Sequence, residues 1–411
     1  MLTTPRILVA QIGARRRYAV PLALHRAGLL GLLVTDVAAN DLVGCLAKVA
    51  SRIWKNVFVR KLAEREIPEI PAEKVKTFPL FGLRRRLMAA LSRGGSVRSR
   101  HARDNERFGC LTSRLPLKEF DAVYIFNGAG LEIAQAAKKL GLKVILDQTS
   151  APIRVEEEIL EEERQRWPGW EKEEATDLGW QALAEREERE WELADLIICG
   201  SDYVRECLAQ SGIPRDKIEV VPTGYRQIGH EGPSKNKTEG LRRILWAGTV
   251  CLRKGAPYFA EAARALCNEL TFLAFGGCSL TNAGRYYFSQ SVDYRGPVPH
   301  SVLIEEYRKA DVFVLPSLSE GSAVVCYEAL AAGLPIITTP NSGSVVRDKI
   351  EGFIIPIRSA EAIVGALERL RASPELLDEM REAALRRAAE FTWESYQSSL
   401  SAAVENIFSK R

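Results

Sequence analysis

Residues 310–337 read ADVFVLPSLSEGSAVVCYEALAAGLPII. The run 312–315 is uninterrupted aliphatic and aromatic sequence, the pattern of a strand buried on both faces. A loop, 316–322, follows, then a helical stretch over about 323–332, then Gly333-Leu334-Pro335, in which the glycine ends the helix and the proline cannot extend it. Ile336-Ile337 opens the next strand. A strand, a crossover helix and a second strand in so short a span make one βα step of a parallel sheet.

The same alternation extends in both directions. Upstream, strand-like runs lie at 7–10, 32–35, 122–126, 144–146 and 196–199, with helical patterns such as 130–140, closed by Gly141, between them. Downstream of 240 they lie at 243–247, 270–274, 312–315, 335–338 and 352–355. Residues 226–239 (RQIGHEGPSKNKTE) carry no apolar period and separate the two sets. The expected fold is therefore α/β: two doubly wound, Rossmann-like parallel-sheet domains. Their bounds are 1–225, a linker at 226–240, and 241–390. A terminal amphipathic helix, 391–411, with Thr392 as its N-cap, is expected to pack back on the first domain.

Composition narrows the class. The chain has 411 residues, 46% hydrophobic and 27% charged, with a formal net charge of +4. That excludes disordered and fibrous classes, and no window approaches the 20 or so apolar residues that a membrane span requires. The apolar run 7–12 is too short for a signal peptide and is expected to be the first strand. The eight cysteines form no C-x-x-C pair, which points to buried free thiols in a reducing cytoplasm. The four histidines lack metal-ligand spacing, so no metal site is expected.

Charge is distributed unevenly. Between 45 and 110 cations dominate, including Arg84-Arg85-Arg86, Arg93, Arg98, Arg100 and Arg103; between 155 and 191 acids dominate, including Glu156-Glu157-Glu158 and Glu161-Glu162-Glu163. The acidic stretch is expected to be helical with a charged solvent face. The basic stretch suits either a solvated helix or contact with an anionic surface, inner-leaflet lipid or an anionic acceptor. It lacks the interleaved aromatics of a nucleic-acid binder.

Ligands of open parallel sheets bind at the carboxyl ends of strands. Two loops there are suggestive. Gly248-Thr249-Val250-Cys251-Leu252-Arg253-Lys254-Gly255 places two adjacent cations at a helix start, suited to a diphosphate. Glu320 and Glu328 flank the other, where the amides of Gly321, Ser322 and Ala323 are expected to face the cleft at the positive end of a helix. No strand is followed by G-x-G-x-x-G, which counts against an NAD-dependent dehydrogenase.

The run from Ala310 to Ile337 closely resembles the donor-site signature of glycosyltransferase family 4, the group 1 glycosyltransferases, bacterial-type enzymes of the GT-B fold. Gly200-Ser201-Asp202, Lys217-Ile218-Glu219-Val220-Val221-Pro222, Arg253-Lys254-Gly255, Gly296-Pro297-Val298 and Phe391-Thr392-Trp393 resemble the same family in order and spacing. The resemblance covers residues 196 to 411 well and the first 195 in outline. It implies an interdomain cleft in which Arg253 and Lys254 hold the donor diphosphate, Glu320 the sugar hydroxyls and Glu328 the ribose. Val298 lies beside the base, and a glycine loop, Gly13, faces the leaving phosphate. Gly248 belongs to the basic loop. Two positions depart from the family pattern: Thr249 stands where an arginine is usual, and 146–152 (LDQTSAP) holds no histidine, so either Asp147, Gln148 or Ser150 replaces it or the sugar is held differently. His25 and His300 are expected to be structural.

The implied function is retaining, hexosyltransferase-like transfer from a nucleotide-sugar to a hydroxyl of a carbohydrate or lipid-linked acceptor, in cell-surface polysaccharide or glycolipid synthesis. No cofactor or metal is expected, and no nucleic acid partner. The expected location is cytoplasmic, with peripheral contact at the anionic inner face of the membrane. The alternative is a non-catalytic sugar-nucleotide-binding subunit of a polysaccharide assembly complex.

Overall fold

A computed structural model describes residues 4–38, 65, 67, 69–91, 97–172, 179–225 and 240–409. Residues 226–239, nearly all of the expected linker, lie outside the described residues, as do Cys45, Arg93 and the first part of the basic stretch.

Thirteen strands form two sheets among the described residues. The first sheet holds β1 (Ile7–Ala10), β2 (Leu30–Thr35), β3 (Val75–Thr77), β4 (Ala122–Phe126), β5 (Lys143–Gln148), β6 (Leu196–Cys199) and β7 (Ile218–Val220) in the order β3-β2-β1-β4-β5-β6-β7. The second holds β8 (Arg243–Ala247), β9 (Thr271–Phe275), β10 (Asp293–Gly296), β11 (Val312–Leu315), β12 (Ile336–Thr338) and β13 (Gly352–Ile354) in the order β10-β9-β8-β11-β12-β13. Every strand pairing is parallel. In each sheet the order reverses beside the first strand, between β1 and β4 and between β8 and β11, so each opens a crevice at that switch point.

Period-two alternation explains the unbroken apolar runs. Ile7 and Val9 join one core while Leu8 and Ala10 join the core on the opposite face. Val312 and Val314 likewise separate from Phe313 and Leu315. β1 and β11 are buried along their whole length, so on these strands neither face selects polar side chains.

Two segments cross between the sheets. The terminal helix Trp393–Ser409 buries Tyr396, Leu400 and Val404 in the core of the first sheet. Tyr225 donates its amide to Phe391 O at 3.0 Å, so the chain leaves and returns along one line. Conversely the helix Ile153–Arg166, which follows β5, packs Leu160 into the core of the second sheet, joined by Trp170. The acidic stretch is therefore not simply solvated. Glu157, Glu163, Glu187 and Glu190 are buried, and Glu190 accepts the amides of Gly128 at 2.6 Å and Gly130 at 2.7 Å.

Candidate functional site

The loops after β8 and β11 interlock at the switch point of the second sheet. A short 3-10 turn, Leu252–Lys254, ends at Gly255, whose φ of +75° and close approach to Pro316 O leave no room for a side chain. Leu318 donates its amide to Arg253 O at 2.8 Å, fixing one loop against the other. The turn directs both cations onto one carboxylate. Lys254 Nζ bonds Glu320 Oε1, and Arg253 Nη1 lies 3.3 Å from Glu320 Oε2 while donating to Ser319 O at 2.7 Å. The Glu320 side chain is only 12% exposed. Burial works to raise its pKa, but Lys254 and then Arg253 outweigh that and hold the carboxyl below its ordinary value. Gly248, at φ +131°, leaves space along which the Lys254 stem lies; a Cβ there would stand 3.4 Å from Lys254 Cε.

Glu328 projects from the helix Val324–Ala331 and is oriented from the neighbouring helix His300–Lys309. His300 Nε2 is 2.9 Å from Oε1, and Tyr307 OH donates to Oε2 at 3.1 Å. Val298, part-buried, precedes this helix by two residues. His300 thus acts as a support that positions Glu328.

The amides after Glu320 are arranged differently from expectation. Ala323 donates its N–H to Ser342 O at 3.2 Å, so that group is already committed, leaving the amides of Gly321 and Ser322 as candidates. Gly321 does permit a close backbone approach, but to Thr149 O of the first sheet's β5 loop; Ser201 Oγ also donates to Gly321 O at 2.5 Å. The glycine therefore serves contact between the two halves. Ser322 Oγ bonds Tyr327 OH at 2.9 Å.

The facing wall comes from the first sheet. Glu156 Oε2 lies 3.9 Å from Arg253 Nη1 and accepts from Ser319 Oγ at 3.3 Å. Burial, partly opposed by Arg253 and reinforced by Glu320, raises the Glu156 pKa. Gly13, at φ +77°, gives its amide to Asp36 Oδ1 at 2.9 Å and so does not offer it to a phosphate. Asp36 is ringed by Arg65 at 2.9 Å, Arg85 at 3.2 Å and Arg86 at 3.4 Å; burial would raise its pKa, but the three guanidiniums lower it. Arg16, Arg17 and Tyr18 follow with φ of +46°, +51° and +63°, a run of strained backbone that L residues rarely adopt. It carries Arg16 to 3.6 Å from Asp147 and 3.3 Å from Tyr396 OH.

Two of the three histidine substitutes turn inward. Asp147 accepts from Tyr124 OH at 2.7 Å, and Gln148 bonds Glu187 at 2.8 Å and Trp191 Nε1 at 2.9 Å; both are fully buried. Ser150 remains part-exposed. Sequence reasoning missed Glu156, Asp36 and Tyr307, since an acid within a charge run and a tyrosine on a helix carry no positional signal. Among the described residues no group of three His, Cys, Asp or Glu side chains gathers as a metal-binding set.

Residues 242–373, which contain this arrangement, match the family "Glycosyl transferases group 1". They belong to that family. The chain is similar in sequence to the Escherichia coli UDP-Gal:alpha-D-GlcNAc-diphosphoundecaprenol alpha-1,3-galactosyltransferase, 27% identical over 200 residues, 42% of this chain and 50% of that protein. The chain spans about half the length, or less, of the curated relatives it matches. In fold the likeness extends over nearly the whole molecule. Anabaena HepE, solved with UDP-glucose, superposes with a TM-score of 0.62 at 13% identity, covering 98% of this chain and 100% of that one. Sucrose-phosphate synthase of Thermosynechococcus elongatus gives 0.59 at 17% identity, covering 99% and 100%. The architecture is GT-B.

Proposed function

We propose that the protein is a retaining, metal-independent glycosyltransferase that moves a sugar from a nucleotide-sugar to a hydroxyl of a carbohydrate or lipid-linked acceptor in cell-surface polysaccharide or glycolipid assembly, at the cytoplasmic face. One observation carries the reading: Arg253 and Lys254 converge on Glu320 at the switch point of the second sheet, opposite Glu156 and the Thr149 loop of the first. The 1–225 and 241–390 halves then serve as acceptor and donor sides. UDP-sugars are the first donors to try, because HepE binds UDP-glucose and the E. coli relative uses UDP-Gal.

On this reading the donor diphosphate competes with Glu320 for the two cations, freeing the carboxylate for sugar hydroxyls. Glu328, held by His300 and Tyr307, accepts the ribose hydroxyls, and Val298 borders the base. The acceptor oxygen forms a bond to the anomeric carbon as the bond to the diphosphate breaks, on the same face, and the acceptor proton passes to the departing phosphate oxygen. No side chain acts as nucleophile. Arg253, Lys254 and the Gly321 and Ser322 amides stabilise the charge growing on the diphosphate, and the closed cleft positions the two substrates.

A second reading, a binding subunit that does not turn over, is favoured by Thr249 and by the inward commitment of Asp147 and Gln148. A transfer assay on UDP-, GDP- and ADP-sugars in EDTA, paired with thermal shift, separates the two. Turnover in chelator supports the proposal. A raised melting temperature without turnover supports the second reading, and turnover only with added magnesium contradicts the role given to the cations.

A further inference from the structure

Half of the large apolar side chains that stand exposed among the described residues fall on one helix, Pro79–Leu91. Leu80, Leu83, Leu87 and Leu91 are 82%, 53%, 53% and 65% exposed. At 100° per residue these four occupy an arc of about 80°, one continuous stripe. The opposite face is committed to the protein. Phe81 is buried, Gly82 abuts Val37 without room for a Cβ, and Arg85 and Arg86 reach Asp36. Arg84 is exposed at the margin of the leucine stripe, and the helix contains no acidic residue.

We propose that the helix Pro79–Leu91 docks the protein on an anionic lipid bilayer, lying in the plane of the headgroups. The chemistry of the face selects this occupant. An aliphatic stripe bordered by arginine and free of acids matches the boundary between acyl chains and anionic headgroups, where leucines bury and a guanidinium snorkels to phosphate. A second copy of the chain would bring the same arginine-bordered face, equally free of acids, against this one, with no opposite charge on the helix to pair it. The placement also has a consequence for the cleft. Phe78 donates its amide to Thr35 O at 3.0 Å, which ties the helix start to the carboxyl end of β2. Asp36 and Gly13 therefore lie about one helix diameter, roughly 10–12 Å, from the bilayer surface. A lipid-linked acceptor held there presents its headgroup at the mouth of the cleft.

The test is flotation of the full chain with vesicles of phosphatidylcholine alone and of phosphatidylcholine with phosphatidylglycerol; it needs no substrate, so its outcome is independent of the transfer reading. Binding to the phosphatidylglycerol vesicles is expected, with at least a tenfold fall in partitioning for Leu83→Glu/Leu87→Glu and a smaller fall for Arg84→Glu. Unchanged unfolding midpoints would verify that these variants fold. The proposal is overturned if the wild-type chain stays unbound, if both vesicle types bind it alike, or if the leucine variant floats as well as the wild type. It is also overturned if that variant instead dissolves a self-associated species or a complex with another protein.

Discussion

Glu328 is held on both carboxylate oxygens, by His300 and by Tyr307. On the proposed function that fixes its rotamer before a ribose arrives, so truncating either the acid or its support should act on donor binding. A hydrogen bond to a charged group contributes about 1.5–3 kcal/mol. Glu328→Ala is accordingly expected to raise the donor KM roughly 10- to 100-fold with a much smaller change in kcat, and His300→Ala to raise it by less, both read from initial rates. Glu190 belongs to stability instead. Burial pushes its pKa up to about 8 against the pull of the Gly128 and Gly130 amides. The unfolded chain loses this proton near 4.5 while the folded chain keeps it. Across that window the folded state binds more protons, so stability is highest below it and falls as the pH rises to about 8. Denaturant midpoints at pH 5 and pH 8.5 should show that decline, and Glu190→Gln should flatten it.

At the scale of elements, the site depends on two loops that hold each other. Gly255 is where they meet: its positive φ costs any residue with a Cβ about 1–2 kcal/mol, before the contact with Pro316 O is counted. Gly255→Ala should lower the melting temperature by about 4 °C or more in a thermal scan and displace Arg253 from Ser319, reducing donor affinity. Much of this arrangement was legible in the sequence, because glycines and paired charges at strand ends are local signals. The β11 step and Glu320 fall where the pattern of residues 310–337 puts them, and the basic loop follows β8 as its own glycines and paired cations suggest. What was not legible was partnership. The edge strands β3, β7 and β10 read VKT, IEV and DYRG, too short and polar to register as apolar runs. The glutamates of 155–191 look solvated because a charge run gives no hint of which carboxylates meet buried amides. Gly321 faces Thr149 across the cleft, a contact between residues far apart in the chain.

At the scale of the whole molecule, each half contributes a segment to the other: the helix Ile153–Arg166 covers the second core and the helix Trp393–Ser409 covers the first. These exchanges, with the Ser201 to Gly321 bond, bring Glu156 and the Thr149 loop against Arg253 and Glu320. Neither sheet alone would enclose the space between them, which is why the transfer reading rests on both. Its central claim is that Arg253 and Lys254 stabilise the departing diphosphate. The most direct measurement is the rate of sugar transfer at saturating nucleotide-sugar, in EDTA, for the wild-type chain and for Arg253→Ala/Lys254→Ala. Loss of one such stabilising donor typically costs roughly 100- to 1,000-fold, so the double variant should fall by at least 100-fold while remaining folded. A double variant that transfers at close to the wild-type rate would contradict the account.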